Sequence, residues 1–168
     1  MFLAVHKYSI LSGLILMISA CSSISLDNNA SKIQTRPTTT DQRQLIPVYQ
    51  VDANGVGASI GTVSFRQTPQ GLLITPALWK LSPGEHGFHI HENASCDAAL
   101  KDGKMGAALA AGGHLNPDNI ANHGTPENGH LGDLPVLVVN DKGFAITPVT
   151  APRLKLSDIQ GRTIMIHA

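Results

Sequence analysis

From Leu45 onward, hydrophobic and polar residues alternate over short stretches that are separated by Gly-, Pro- and Asn-containing turns. Such alternation is typical of β-strands with one buried face, because successive side chains point to opposite sides of a strand. Asn54-Gly55 is a strong hairpin signal between the first two stretches. The pattern predicts seven short strands at fairly regular spacing, over residues 45–52, 58–67, 72–79, 88–92, 134–140, 144–150 and 162–168. An antiparallel all-β sandwich or barrel is expected from this spacing.

The stretch from Glu92 to Gly132 shows no strand pattern and at most one or two helical turns within "KMGAALAAG". A loop of this length is uncommon in a compact domain unless it is held in place or carries the function. Elsewhere Leu78, Trp79 and Phe88 are predicted to lie in the core.

The first 20 residues are predicted to be a lipoprotein signal peptide rather than part of the fold. A short apolar run, too short for a comfortable membrane span, leads to "ISAC", which has the pattern of a lipobox ending at Cys21. We therefore expect Cys21 to carry lipid; an ordinary cleaved signal peptide is the alternative. The protein is expected in the bacterial periplasm. Ser22, which follows Cys21, favours anchoring of the lipoprotein in the outer membrane over its retention at the inner membrane. Polar residues 21–44 predict a flexible tether, and residues 45–168 the folded domain.

Charge and composition exclude several classes of function. The chain has 12 basic and 12 acidic residues and only 4% aromatic residues. With no basic stripe and few rings for base stacking, nucleic acid is not expected as a partner. No polybasic run favours anionic lipid, so the expected contact with a membrane is the lipid anchor alone.

The eight histidines of the chain are its most unusual feature. His89 and His91 are two residues apart on a predicted strand, so they project from the same face. The long loop and the last strand add four further histidines and an aspartate, namely His114, His123, His130, Asp133 and His167. Imidazole suits copper and zinc, and three imidazoles with one carboxylate suit tetrahedral zinc. The convergence predicts a metal site, with two adjacent ions. His86, an odd step from His89, is predicted to be structural and bonded to backbone.

These motifs, "GEHGFHIHE", "AGGH", "NHGTPENGHLGDLP" and "GRTIMIHA", resemble those of the Cu,Zn superoxide dismutases. The loop "CDAALKDGKMGAALAAGGH" is similar to that of the bacterial periplasmic branch. The resemblance implies a Greek-key antiparallel β-barrel, superoxide as the substrate, and dismutation of superoxide to oxygen and hydrogen peroxide. It implies copper ligands His89, His91, His114 and His167, and zinc ligands His114, His123, His130 and Asp133, with His114 shared between the ions. A homodimer is possible.

The resemblance also implies a segment after His167 that this sequence does not carry. That segment supplies a last strand, an Asp that orients ligand histidines, an Arg beside the copper, and a disulfide partner for Cys96. We therefore expect an incomplete barrel with unpaired edges and impaired activity. Arg153 and Arg162 are interpreted as solvated turn residues. Two alternatives stay open, a periplasmic copper/zinc-binding lipoprotein without turnover and a truncated, poorly active remnant.

Overall fold

The computed structural model describes residues 2–5 and 44–168. Cys21 and all of the predicted tether except Gln44 lie outside the described residues, so the predictions on lipid attachment stay predictions. Within the described part the strands are β1 Phe2–Val5, β2 Gln44–Asp52, β3 Gly55–Thr68, β4 Gly71–Leu78, β5 Gly84–His86, β6 Phe88–His91, β7 Ala99–Lys101, β8 Lys104–Gly106, β9 Leu137–Val139, β10 Val149–Ala151 and β11 Thr163–Ile166, with a short 3-10 helix at Leu109–Ala111. No helix of the described residues has the length and hydrophobicity needed to cross a membrane.

The main sheet has seven strands in the order β10-β4-β3-β2-β1-β11-β6, and its pairings are antiparallel. The predicted antiparallel all-β class is therefore confirmed. The hairpin between β2 and β3 turns at Ala53-Asn54, one residue earlier than the predicted Asn54-Gly55. Asp52 sets this turn, because its Oδ1 accepts a hydrogen bond of 2.7 Å from the Asn54 N–H.

The main hydrophobic core joins residues of the main sheet to residues of the long loop, of β9 and of the segment between β10 and β11. Its largest fully buried side chains include Phe65 of β3 and Phe88 of β6, and Leu78 is also buried, as predicted. Trp79 is not in the core: it is 41% exposed, so that prediction is wrong. The reason is the period of two, since the buried Leu78 ends β4 and the next side chain points outward.

The long loop contains a hairpin, β7–β8, so the prediction that it has no strand is wrong. Asp102 and Gly103 form the two-residue turn with φ of 52° and 75°. Two positive φ values are what a type I′ turn requires, and Asp-Gly is among the sequences that favour it. The predicted helical turn is present as the 3-10 helix Leu109–Ala111.

Strand β1 lies within residues 1–20, which the sequence predicts to be a signal peptide, and that prediction stays a prediction. Its residues pair with β2 on one side and with β11 on the other. Strands β2 and β11 are therefore not sheet edges in this structure. Removal of a leader containing β1 would expose the backbone hydrogen-bonding groups of both strands.

Candidate metal centre

Strand β6 is the platform of the site. All four of its residues are buried: Phe88 and Ile90 join the core, while His89 and His91 point together to the opposite face. Strand β11 pairs with it in antiparallel register, with Met165 opposite His89. His167 follows β11 directly, which brings its ring close to the rings of β6.

Backbone hydrogen bonds hold the long loop against the other side of β6. The Ile90 N–H donates to the Gly132 carbonyl and the Leu115 N–H donates to the Ile90 carbonyl, each at 2.8 Å. A Cβ on Gly132 would lie only 2.3 Å from the Ile90 carbonyl oxygen, so glycine is needed for this approach. The bonds place His114, next to Leu115, and Asp133, next to Gly132, beside the histidines of β6.

The first cluster consists of the four predicted copper ligands. His89, His91, His114 and His167 each offer one ring nitrogen, and these atoms all lie within 4.8 Å of one another. The His91 Nδ1–H donates to the Gly112 carbonyl at 2.9 Å, which leaves Nε2 as the nitrogen available to a ligand. Within the described part of the chain, the buried His91 Nε2 and His89 Nδ1 have no hydrogen-bond partner. A metal ion would satisfy both nitrogens, so these residues fit one.

The second cluster surrounds Asp133, whose side chain is fully buried. Its Oδ1 lies 2.9 Å from Nδ1 of both His114 and His123, and 3.7 Å from His130 Nδ1. His130 Nδ1 is also 3.5 Å from His114 Nδ1. Ligand atoms of a tetrahedral zinc ion are about 3.3 Å apart, given metal–ligand distances near 2 Å. These spacings bracket that value, so the predicted zinc ligands fit this metal.

The two clusters are in contact. His89, His114, His123 and Asp133 each offer one ligand atom within 4.8 Å of all the others, and His130 is not part of that set although its Nδ1 lies 3.7 Å from Asp133 Oδ1. The rings of His89 and His114 stack with their centroids 4.0 Å apart. The arrangement is thus one continuous centre, with His114 common to both clusters.

His86 is a structural histidine, as predicted. Its Nδ1 lies 2.6 Å from the His167 carbonyl oxygen and its Nε2 lies 2.8 Å from the Ser82 carbonyl oxygen. The His167 N–H donates to the Gly87 carbonyl at 2.9 Å. Both sides of the His167 peptide backbone are therefore held to the segment that precedes β6, which fixes the position of its ring.

Electrostatics favour the neutral form of the histidines that face one another. Burial, followed by the neighbouring imidazoles, lowers the pKa of His89 to about 3 and that of His167 to about 4. Burial also lowers the pKa of His91 and His114. Burial alone would raise the pKa of Asp133, but hydrogen bonds from the Gly124 N–H, His114 and His123 outweigh it and lower that pKa. Neutral imidazoles and an ionised carboxylate are the forms that bind a metal.

We predict that the metal-free protein loses stability as the pH falls from about 6.5 to about 4. In this window the unfolded chain protonates His89 and His167 while the folded state does not, so the unfolded state binds more protons. The free energy of unfolding should fall by at most about 1.4 kcal/mol per pH unit for each of the two. Urea unfolding, followed by the fluorescence of the single Trp, measures this free energy of unfolding at each pH. A His89→Gln control should flatten the slope, and a pH-independent midpoint would rule out protonation of these histidines as the cause.

The structure also shows the environment of three further residues, Cys96, Arg153 and Arg162. Cys96 is a buried free thiol, and burial raises its pKa to about 11. Arg162 is half-buried and donates to the Glu92 carbonyl. Arg153 is also half-buried, and it donates three hydrogen bonds to carbonyls of the loop that carries His123 and His130. Arg153 does lie in a turn, but neither arginine is merely solvated, because each donates hydrogen bonds to backbone carbonyls. The sequence did not reveal the role of Arg153 because its partners are backbone carbonyl oxygens. Every residue has one, so the residue types at these positions do not indicate the contact.

Comparison with known proteins places this centre in a family. The model of the copper/zinc superoxide dismutase (SODC) family matches residues 59–168. The chain belongs to the copper/zinc superoxide dismutase family. Superoxide dismutase [Cu-Zn] 2 of Salmonella typhimurium is 61% identical over 119 residues, which are 70% of this chain and 69% of the relative. Superoxide dismutase [Cu-Zn] of Escherichia coli K12 is 55% identical over the same shares.

Solved structures of the family support the same assignment. The Cu/Zn superoxide dismutase from Brucella abortus has a TM-score of 0.73 and 44% identity, over 75% of this chain and 83% of that one. The monomeric copper, zinc superoxide dismutase from Salmonella enterica has a TM-score of 0.69 and 55% identity over the same shares. The predicted family membership and its β-barrel type of fold are thereby confirmed.

Proposed function

We propose that this chain dismutates superoxide to oxygen and hydrogen peroxide at a copper–zinc centre. The observation that carries the proposal is the meeting of two metal-type donor clusters at His114, one all-imidazole and one containing a carboxylate. Relatives named superoxide dismutase [Cu-Zn], at 55–61% identity, support it.

His89, His91, His114 and His167 would hold copper, because four imidazoles suit this metal. Copper would supply the one-electron chemistry by which two superoxide ions and two protons give one oxygen and one hydrogen peroxide. The protein fixes the ligand histidines in advance: Gly112 orients the His91 ring, and His86 holds the backbone of His167. Such supporting contacts typically affect metal affinity or activity by about 10–100-fold.

His114, His123, His130 and Asp133 would hold zinc. Zinc has no redox chemistry, and a site with four protein ligands is the structural type, closed to a reactive water. The role of this cluster is then to fix the loop and the shared His114. His123, whose side chain is 57% exposed, lies at the solvent side of the centre.

We further propose that the protein acts in the bacterial envelope, tethered through lipid on Cys21. The support is the lipobox "ISAC" after an apolar run and the polar stretch that follows it. The homodimer stays a prediction, and the similar Salmonella enterica protein is described as monomeric.

The test of the enzyme is superoxide consumption by the purified chain after loading with copper and zinc. We expect the loaded wild type to consume superoxide, at a rate lowered by the impairment that the sequence predicts. His167→Ala should lower the rate by more than about 100-fold, since it removes a copper ligand. Zinc content should be retained in this variant, which shows that the fold survives.

Other results would contradict the proposal. Full metal occupancy without superoxide consumption by the wild type would favour a metal-binding lipoprotein without turnover. Failure to bind either metal would favour a remnant of the family that lacks function.

A further inference from the structure

Arg153 lies just after β10 and reaches across to the zinc-side loop, which we define as residues 123–133. Its Nε donates to the Pro126 carbonyl at 2.7 Å. Its Nη2 donates to the Gly129 carbonyl at 2.7 Å and to the His130 carbonyl at 2.9 Å. A single guanidinium thus binds three main-chain oxygens within five residues of the loop.

Both backbone groups of His130, its N–H and its carbonyl, are hydrogen-bonded to side chains. The His130 N–H donates to Asp133 Oδ2 at 2.8 Å, while the His130 carbonyl accepts from Arg153. Asp133 Oδ2 also accepts the Gly124 N–H at 2.9 Å, near the start of the loop. Asp133 therefore fixes N–H groups from inside the centre, and Arg153 fixes carbonyls from outside it.

Apart from Asp133, the part of the loop that Arg153 contacts is ordered mainly by hydrogen bonds within its own turn, among Thr125, Glu127 and Asn128. Residues 125, 127 and 128 are exposed, and the backbone bonds of Asn128 and Gly129 run to Thr125 within the same turn. Ordering a residue costs about 1–2 kcal/mol of backbone entropy, and an exposed turn recovers little of it by burial. Hydrogen bonds from a charged donor are stronger than neutral ones and can offset this cost.

We propose that Arg153 is a positioning residue that pre-organises His123 and His130 for zinc. The inference rests on the proposed zinc site and extends it to a residue outside the ligand set. Arginine suits the role because its planar fork presents several N–H groups in fixed directions, whereas the ammonium of lysine is a point charge on a flexible stem. Zinc affinity should depend on Arg153, whereas copper affinity should not.

The test compares wild type, Arg153→Gln and Arg153→Lys as full chains, with Lys155→Ala as the matched control. Lys155 is an exposed cation two residues further along the same segment. Zinc affinity is measured by competition with a chelator after the copper site has been filled, and copper affinity is measured separately. We expect Arg153→Gln to lower zinc affinity by about 10–100-fold and Arg153→Lys to lower it less. Copper affinity should change by less than about threefold, and Lys155→Ala should match the wild type.

Amide hydrogen exchange gives a readout that does not involve metal. In the metal-free Arg153→Lys protein, amides of residues 124–130 should exchange faster while those of β6 are unchanged. Unchanged zinc affinity in Arg153→Gln, or equal losses of zinc and copper affinity, would overturn the proposal. If Arg153→Gln fails to fold, Arg153→Lys decides by the same two criteria. A wild type that binds no zinc would instead overturn the proposed zinc site.

Discussion

Replacing His114 with alanine is expected to disable both halves of the metal centre at once. His114 belongs to both donor clusters, its ring stacks on His89, and its Nδ1 lies 2.9 Å from Asp133 Oδ1. An imidazole has two ring nitrogens and can bind an ion with each, so its loss removes one ligand from each metal. We expect superoxide consumption to fall by more than about 100-fold and both metal affinities to fall by at least as much.

The matched variant is His123→Ala, which removes a predicted zinc ligand that is not among the four predicted copper ligands. It should lower zinc affinity and leave copper affinity within about threefold of the wild type. Metal content and superoxide consumption, measured on the same samples, distinguish the two variants. A His114→Ala protein that keeps either metal at wild-type affinity would show that the ring is not shared.

Asp133→Asn is expected to have the second large effect. The Asp133 side chain is fully buried, and both of its oxygens are engaged: Oδ1 faces His114 and His123, and Oδ2 accepts the Gly124 and His130 N–H groups. An asparagine amide carries two donors on its nitrogen, so one of these sides loses its acceptor. Zinc affinity should fall by more than about 100-fold. The metal-free protein should lose about 3 kcal/mol of stability, as buried donors lose their acceptor.

The control is Asp118→Asn, an exposed carboxylate in the same long loop. It should leave zinc affinity and the urea midpoint unchanged. If Asp133→Asn binds zinc as tightly as the wild type, Asp133 is a structural anchor of the loop and not a zinc ligand.

The residues of the site could be found from the sequence because histidine and aspartate side chains are recognisable metal ligands by residue type. The alternation over residues 45–78 predicts β2, β3 and β4, and the spacing of His89 and His91 places them on one face. The structure brings the predicted ligands together, although sequence spacing alone could not give the backbone pairing of His91 with His114. That pairing joins residues far apart in the chain and follows from tertiary packing.

The misses have physical causes that differ from one another. The Asp102-Gly103 hairpin carried a usable turn signal, but strands of three residues are too short for alternation to register. The role of Arg153 depends on carbonyl oxygens, which every residue has.

The central claim is that one dinuclear centre, shared through His114, is built from these histidines and Asp133. The most direct measurement is a crystal structure of the copper- and zinc-loaded chain, with anomalous diffraction recorded at both metal edges. We predict one copper ion bound by His89, His91, His114 and His167, and one zinc ion bound by His114, His123, His130 and Asp133. Two ions that do not share His114, or a zinc ion bound away from Asp133, would contradict this claim.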